Sequence, residues 1–174
     1  MNLYLLRHGI AVDPSVPDFA KDAERPLTPK GKRRLLQIAK AMAALKISFD
    51  VILSSPYVRA AQTAEIAAKS LKRRKQLKFS DELTPGGNPK LLIQQLTDLR
   101  PKPKNVLLVG HEPYLSRLIA LLTAGHTNLE IDLKKGSLCK LETESLRYGR
   151  CATLVCLFAP RHLVLMAGKR PACR

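Results

Sequence analysis

Short apolar runs alternate with helically spaced apolar positions along the whole of this 174-residue chain. Leu3–Leu6, Val51–Leu53 and Val106–Val109 carry no charge and end in polar or glycine-containing turns. Such runs read as buried strands of a parallel sheet, whose strands are covered on both faces. Leu77–Phe79 is a shorter candidate. Leu35, Ile38, Ala39 and Met42 repeat at the spacing of one helix face, as do Leu115, Leu118, Ile119 and Leu122. Val58, Ala61, Ala64, Ala68 and Leu71 mark another helix, and Leu92, Ile93, Leu96 and Leu99 a fourth.

Helix boundaries are marked as well. Thr28-Pro29, Ser55-Pro56 and Asn88-Pro89 each put a capping side chain before a proline at the first helical position. Glu112-Pro113 repeats the proline start with a weaker cap, and Gly125 is placed to stop the helix that follows. Ser137–Leu141 and Ala152–Phe158 predict two further strands, close enough in sequence to pair antiparallel at one side of the sheet. There is no internal repeat and no dividing linker. The pattern predicts one α/β domain over residues 1–167 with helices on both sheet faces, then a loose basic tail over 168–174.

Composition narrows the class. With 45% hydrophobic and 25% charged residues the chain is too apolar for disorder. No uncharged apolar run approaches the roughly 18 residues that span a bilayer, so no membrane association is expected. The stretch Leu3–Leu6 stops at Arg7 without a basic segment before it, so no secretory leader is expected and the location is read as cytoplasmic. Cys139, Cys151, Cys156 and Cys173 match no zinc or redox spacing and are read as buried hydrophobes or free thiols. Thirty Lys plus Arg against fourteen Asp plus Glu give a formal charge of +16, which favours anionic partners. The densest runs, Lys72-Arg73-Arg74-Lys75 and Lys30 with Lys32-Arg33-Arg34, are explained more simply as solvated helix faces than as binding sites.

Chemistry collects after the strands. The first is followed by Arg7-His8-Gly9, the second by Ser54-Ser55-Pro56-Tyr57-Val58-Arg59, and Val106–Val109 by Gly110-His111-Glu112-Pro113. The carboxyl ends of parallel strands lie on one edge of an open sheet, where ligands bind. Two histidines and two arginines from distant parts of the chain are therefore expected to converge there. Arginine grips phosphoryl oxygens bidentately, and helix N-termini add N–H groups for the same oxygens. An imidazole with a pKa of about 6.5 is largely neutral near pH 7 and can attack phosphorus without a strong base beside it. A metal centre fits less well: Asp13 and Glu112 show no ligand spacing, and flanking arginines oppose a cation. No Walker loop or dinucleotide fingerprint is present, so no cofactor is called for.

These residues resemble the histidine phosphatase superfamily (branch 1), whose signature is Arg-His-Gly after the first strand. More narrowly, the chain resembles the small SixA-type phosphohistidine phosphatases through Leu5–Ala11, Glu24–Gly31, Ser54–Ala64, Glu82–Pro85 and Val109–Pro113. The resemblance implies a three-layer α/β/α sandwich with a mostly parallel, phosphoglycerate mutase-like sheet. It implies His8 as phosphoryl acceptor, Arg7 and Arg59 as holders of the phosphoryl oxygens, His111 as a donor to them, and Arg25 as a further phosphate ligand. It implies no metal, and a phosphorylated protein as partner, with an acidic surface suiting the charge. Many superfamily members place a glutamate after the third strand as general acid, but neither Asp81 nor Glu82 can be assigned that position here. A phosphohistidine leaves as a weakly basic imidazole and needs little such help. The alternatives are a small-metabolite phosphomonoesterase and a non-catalytic basic module for nucleic acid, the weaker partner because it leaves both histidines unexplained.

Overall fold

Each apolar run becomes a strand, and the runs lie side by side in one sheet. The computed structural model describes residues 1–15, 19 and 21–168; the tail expected beyond Gly168, Cys173 included, lies outside them. The strands are Asn2–Arg7 (β1), Val51–Ser54 (β2), Leu77–Phe79 (β3), Asn105–Gly110 (β4), Leu138–Glu142 (β5) and Thr153–Phe158 (β6). Their order is β3-β2-β4-β1-β5-β6. The first four run parallel, while β5 pairs antiparallel with both β1 and β6, as the spacing at the end of the chain predicts.

The helices are Pro29–Ala44 (α1), Val58–Ser70 (α2), Pro89–Thr97 (α3), Tyr114–Ala124 (α4) and Pro160–Ala167 (α5). Side chains alternate along β1 between two apolar layers. Leu3 and Leu5 pack with Leu53, Leu108, Leu92 of α3 and Leu115 of α4. Tyr4 and Leu6 pack with Ile52, Leu107, Ile38 of α1, Ala64 of α2 and Leu163 of α5. The result is the expected α/β/α sandwich with a mostly parallel sheet. No helix among the described residues is long and apolar enough to cross a membrane.

Three boundary readings need correction. Ser55-Pro56 does not open α2: the helix begins at Val58, and the Ser55 hydroxyl serves the site instead. Pro113 stands just before α4, with the Glu112 carboxylate accepting the Ser116 N–H at 3.1 Å. The run Lys72–Lys75 lies beyond α2, with Lys72 and Arg73 in the turn after it and Arg74 and Lys75 in a single 3-10 turn. Helix α5 was not predicted at all. It starts on Pro160 after Ala159, which offers no capping side chain, and its apolar positions form a run without helical spacing. Gly125 does stop α4, in a left-handed conformation with φ 88° that favours glycine.

Strand register positions the site. Arg7 pairs with Gly110 and Ser54 with Val109, so His8, His111 and Ser55 leave neighbouring strands at one level. The His8 N–H donates to Gly110 O (3.1 Å) and the Ser55 N–H to Val109 O (3.0 Å), extending the ladder one residue past the strands. Helix α1 is pressed against the segment after His8. Thr28 Oγ1 accepts the Gly31 N–H at 3.0 Å and donates to Ile10 O at 3.2 Å. A Cβ at Gly31 would stand 2.1 Å from Ile10 O. Gly31→Ala is expected to destabilise the fold by about 1–3 kcal/mol, because backbone must move to admit the methyl. The denaturant midpoint checks this; an unchanged midpoint would show that the approach is not tight.

Candidate active site

Ring protons at the end of β1 are set by the backbone. His8 Nδ1 lies 2.8 Å from the carbonyl oxygen of Gly9. A carbonyl only accepts, so Nδ1 carries the proton and Nε2 keeps its lone pair. Arg59 Nε donates to that Nε2 at 3.3 Å. The turn is anchored from α2: Thr63 Oγ1 accepts the Gly9 N–H at 3.1 Å and donates to Arg59 O at 2.7 Å. His8 is buried, with only its free nitrogen side committed to the site.

His111 is set by Ser55. Its Nε2 lies 2.8 Å from Ser55 Oγ, which already accepts the Tyr57 N–H at 3.3 Å. Ser55 is fully buried, and donation to His111 Nε2 gives its hydroxyl proton an acceptor. The ring proton then sits on His111 Nδ1, a buried atom without a protein partner and so free for a ligand oxygen. The His8 and His111 ring centroids are 5.1 Å apart. Tyr57 stands edge-on to His111 at 5.1 Å, and its ring faces the Arg59 guanidinium at 5.3 Å.

The arginines are steered by oxygens. Arg7 Nη1 donates to Leu133 O at 2.7 Å, while its buried Nε has no partner. Arg25 Nη1 donates to Val12 O at 2.7 Å and its Nε to Asp22 Oδ1 at 2.9 Å, with Nη2 on the same oxygen. The other carboxylate oxygen of Asp22 accepts from Arg59 Nη2 at 2.7 Å, and Asp22 O accepts from Arg59 Nη1 at 2.5 Å. Asp22 thus joins Arg25 to Arg59. Of the residues expected from sequence, His8, Arg59 and His111 meet directly, Arg25 joins through Asp22, and Arg7 flanks them.

Asp22, Ser55 and Tyr57 are site residues that sequence reasoning missed. Asp22 sits three residues before Arg25, a spacing that signals an ion pair only once the chain is known to turn there. Ser55 carried a helix-start signal that hid its other use. The acids after β3 stay apart from the histidines in bonding: Glu82 Oε2 accepts the Asn88 N–H at 2.7 Å. Among the described residues no group of three or more His, Cys, Asp or Glu could hold a metal ion. Cys139 is buried, which pushes its thiol up to about 12 and leaves it unreactive.

Electrostatics keep both imidazoles neutral. Burial pushes His8 down to about 3, with His111, Arg59 and Arg7 acting in the same direction. Burial also pushes His111 down to about 3, with Arg59 the largest charged contributor. The ordinary imidazole midpoint near pH 6 expected from sequence therefore does not hold in the folded chain. Burial draws the Asp22 carboxyl upward, but hydrogen bonds from Arg25 and Arg59 outweigh it and leave it below the usual carboxylate range.

Comparison with known proteins agrees with this geometry. The sequence profile of the histidine phosphatase superfamily (branch 1) matches residues 3–84. Over 149 residues the chain is 37% identical to an uncharacterised protein of a Picosynechococcus species, spanning 84% of this chain and 88% of that one. Over 128 residues it is 32% identical to the phosphohistidine phosphatase SixA of Escherichia coli, spanning 73% and 77%. The solved structure of the protein histidine phosphatase SixA complexed with tungstate superposes with a TM-score of 0.78 at 25% identity, over 94% of this chain and 99% of that one. A phosphoglycerate mutase of Bacillus anthracis gives a TM-score of 0.65 at 16% identity over 97% of each chain, a likeness of fold alone. These matches define the class as a phosphatase. The chain belongs to the histidine phosphatase superfamily, branch 1, and is of the SixA type.

Two outcomes follow from the protonation states. In the unfolded chain both imidazoles take up protons around 6.5, in the folded chain only near 3, so stability falls as pH drops from about 6.5 toward 3. The slope is up to about 1.4 kcal/mol per pH unit for each histidine. Nitrogen NMR of the free protein should show both rings neutral from pH 8 to pH 5; a midpoint near 6 for either would contradict the burial argument. Ser55→Ala should lower kcat/KM roughly tenfold, about 1.4 kcal/mol of transition-state stabilisation, with the thermal midpoint as the control for folding.

Proposed function

We propose that this phosphatase removes the phosphoryl group from phosphohistidine on another protein, through a phosphohistidine formed at His8. In the first step the lone pair of His8 Nε2 attacks phosphorus in line, and the bond to the substrate's imidazole nitrogen breaks. Arg7, Arg25, Arg59 and the Nδ1–H of His111 take the phosphoryl oxygens and offset the charge that spreads over them. The Nδ1–H bond to Gly9 O holds the ring as His8 becomes cationic. In the second step water attacks the same phosphorus, giving inorganic phosphate and neutral His8.

The observation that carries this reading is the state of Asp22. It is the carboxylate hydrogen-bonded to the arginine cluster, and it is ionised between Arg25 and Arg59. An ionised, doubly bonded carboxylate cannot protonate an alkoxide, so Asp22 gives a phosphate ester no help in leaving. A phosphoramidate leaves as imidazole and asks for little. The E. coli relative named a phosphohistidine phosphatase supports the same substrate class, and the tungstate held by the solved SixA, a tetrahedral oxyanion, supports a pocket for a phosphoryl group. We read its setting as the cytoplasm, in signal transduction by phosphohistidine.

The test is incubation with a protein carrying phosphohistidine and, separately, with phosphomonoesters. Phosphohistidine should be the better substrate by kcat/KM, with an acid-labile, base-stable label trapped on His8. His8→Ala should abolish turnover. Full activity in that variant would refute the mechanism, and higher kcat/KM on phosphomonoesters would overturn the substrate class.

A further inference from the structure

Beside the histidines, a second cavity of about 620 Å³ opens between α1, the segment before β5 and the start of α5. Five cations line it (Arg7, Arg34, Lys134, Lys135 and Arg161) against the single carboxylate of Asp132. Lys134 is paired with Asp132 at 3.4 Å; Arg34, Lys135 and Arg161 make no salt bridge among the described residues. Arg34 is also the half-buried member of its basic run, whereas Lys32 and Arg33 point to solvent. The cavity shares Arg7 with the candidate active site. Arg7 belongs to both, and the chain that carries Lys134 and Lys135 is clamped to it: Arg7 Nη1 donates to Leu133 O, the Gly136 N–H to Arg7 O at 3.1 Å, and the Arg7 N–H to Ser137 O at 3.2 Å.

We propose that this cavity docks an acidic segment flanking the phosphorylated side chain of the protein substrate. A chain whose phosphohistidine enters beside Arg7 must pass over this cavity or away from it, and unpaired cations concentrated on one side favour carboxylates there. The shape fits side chains better than nucleic acid. Single strands are held along extended grooves with aromatic rings between the cations, and no aromatic ring lines this cavity. This docking rests on the phosphoprotein reading of the neighbouring pocket, but its binding arm can be tested without turnover.

The triple variant R34Q/K135Q/R161Q leaves every residue placed in the reaction untouched. Two phosphohistidine peptides, one flanked by Glu and Asp and one by Ser and Gly, are compared with free phosphohistidine. In the variant, kcat/KM on the acidic peptide should fall roughly tenfold through KM, and its salt dependence should flatten, since each solvent-facing pair contributes modestly. The neutral peptide and free phosphohistidine should be unaffected. Equal loss on all three, or no loss on the acidic peptide, overturns the proposal. In parallel, fluorescein-labelled hexaglutamate should bind the wild type and lose anisotropy with the variant. Absence of wild-type binding, or tighter binding of an oligonucleotide of equal charge, overturns it too. Hexaglutamate bound by a protein that fails to turn over phosphohistidine would sink the substrate assignment while leaving the docking cavity standing.

Discussion

A neutral imidazole among guanidinium groups is the condition on which the site depends. In the proposed mechanism His8 attacks phosphorus through the Nε2 lone pair, and two features keep that nitrogen unprotonated. Burial makes the cationic ring expensive, and the carbonyl of Gly9 takes the one proton the ring carries. Arg59 then approaches the lone pair at 3.3 Å without competing charge. The proposed first step needs no base, because burial keeps His8 neutral near pH 7. His111 obeys the same condition with the roles reversed: Ser55 satisfies Nε2, so the proton faces the ligand side.

The arginines pose the opposite problem, since they are always charged and Arg59 is only 4% exposed. A buried guanidinium without a counter-charge would be costly. Asp22 answers this by bridging Arg25 and Arg59 through opposite carboxylate oxygens while itself remaining half in solvent. The bridge also orients both guanidinium forks. It leaves the site with positive charge to spare once Arg7 is counted, and a phosphoryl group supplies the matching negative charge. Arg7 also lines the neighbouring basic cavity, so the candidate site and that cavity share a cation.

The fold makes this arrangement stiff. Histidines, serine and arginine come from segments tied to the ends of β1, β2 and β4, which the in-register ladder holds at one level. Helix α1 packs against the turn after His8 so closely that Gly31 is required, and Thr63 of α2 holds the same turn from the other side. A 1 Å loosening here would separate groups that must act on one phosphorus atom.

Residue order alone made the strands, four of the five helices, the sheet edge and the candidate set His8, Arg7, Arg59 and His111 legible, while Arg25 came only from the family resemblance. Apolar spacing and caps are local signals, and the Arg-His-Gly and Gly-His-Glu-Pro turns follow strands whose ends must share an edge. Helix α5 was not legible, because its start lacks a capping side chain and its apolar run has no helical period. Nor were the tautomers, the depressed imidazoles or the part played by Asp22. These depend on distances between residues as far apart as Ser55 and His111, and on how much water the packed chain excludes. Burial and hydrogen-bond partners belong to the assembled structure, so only the tertiary fold decides which ring nitrogen carries the proton and which keeps its lone pair.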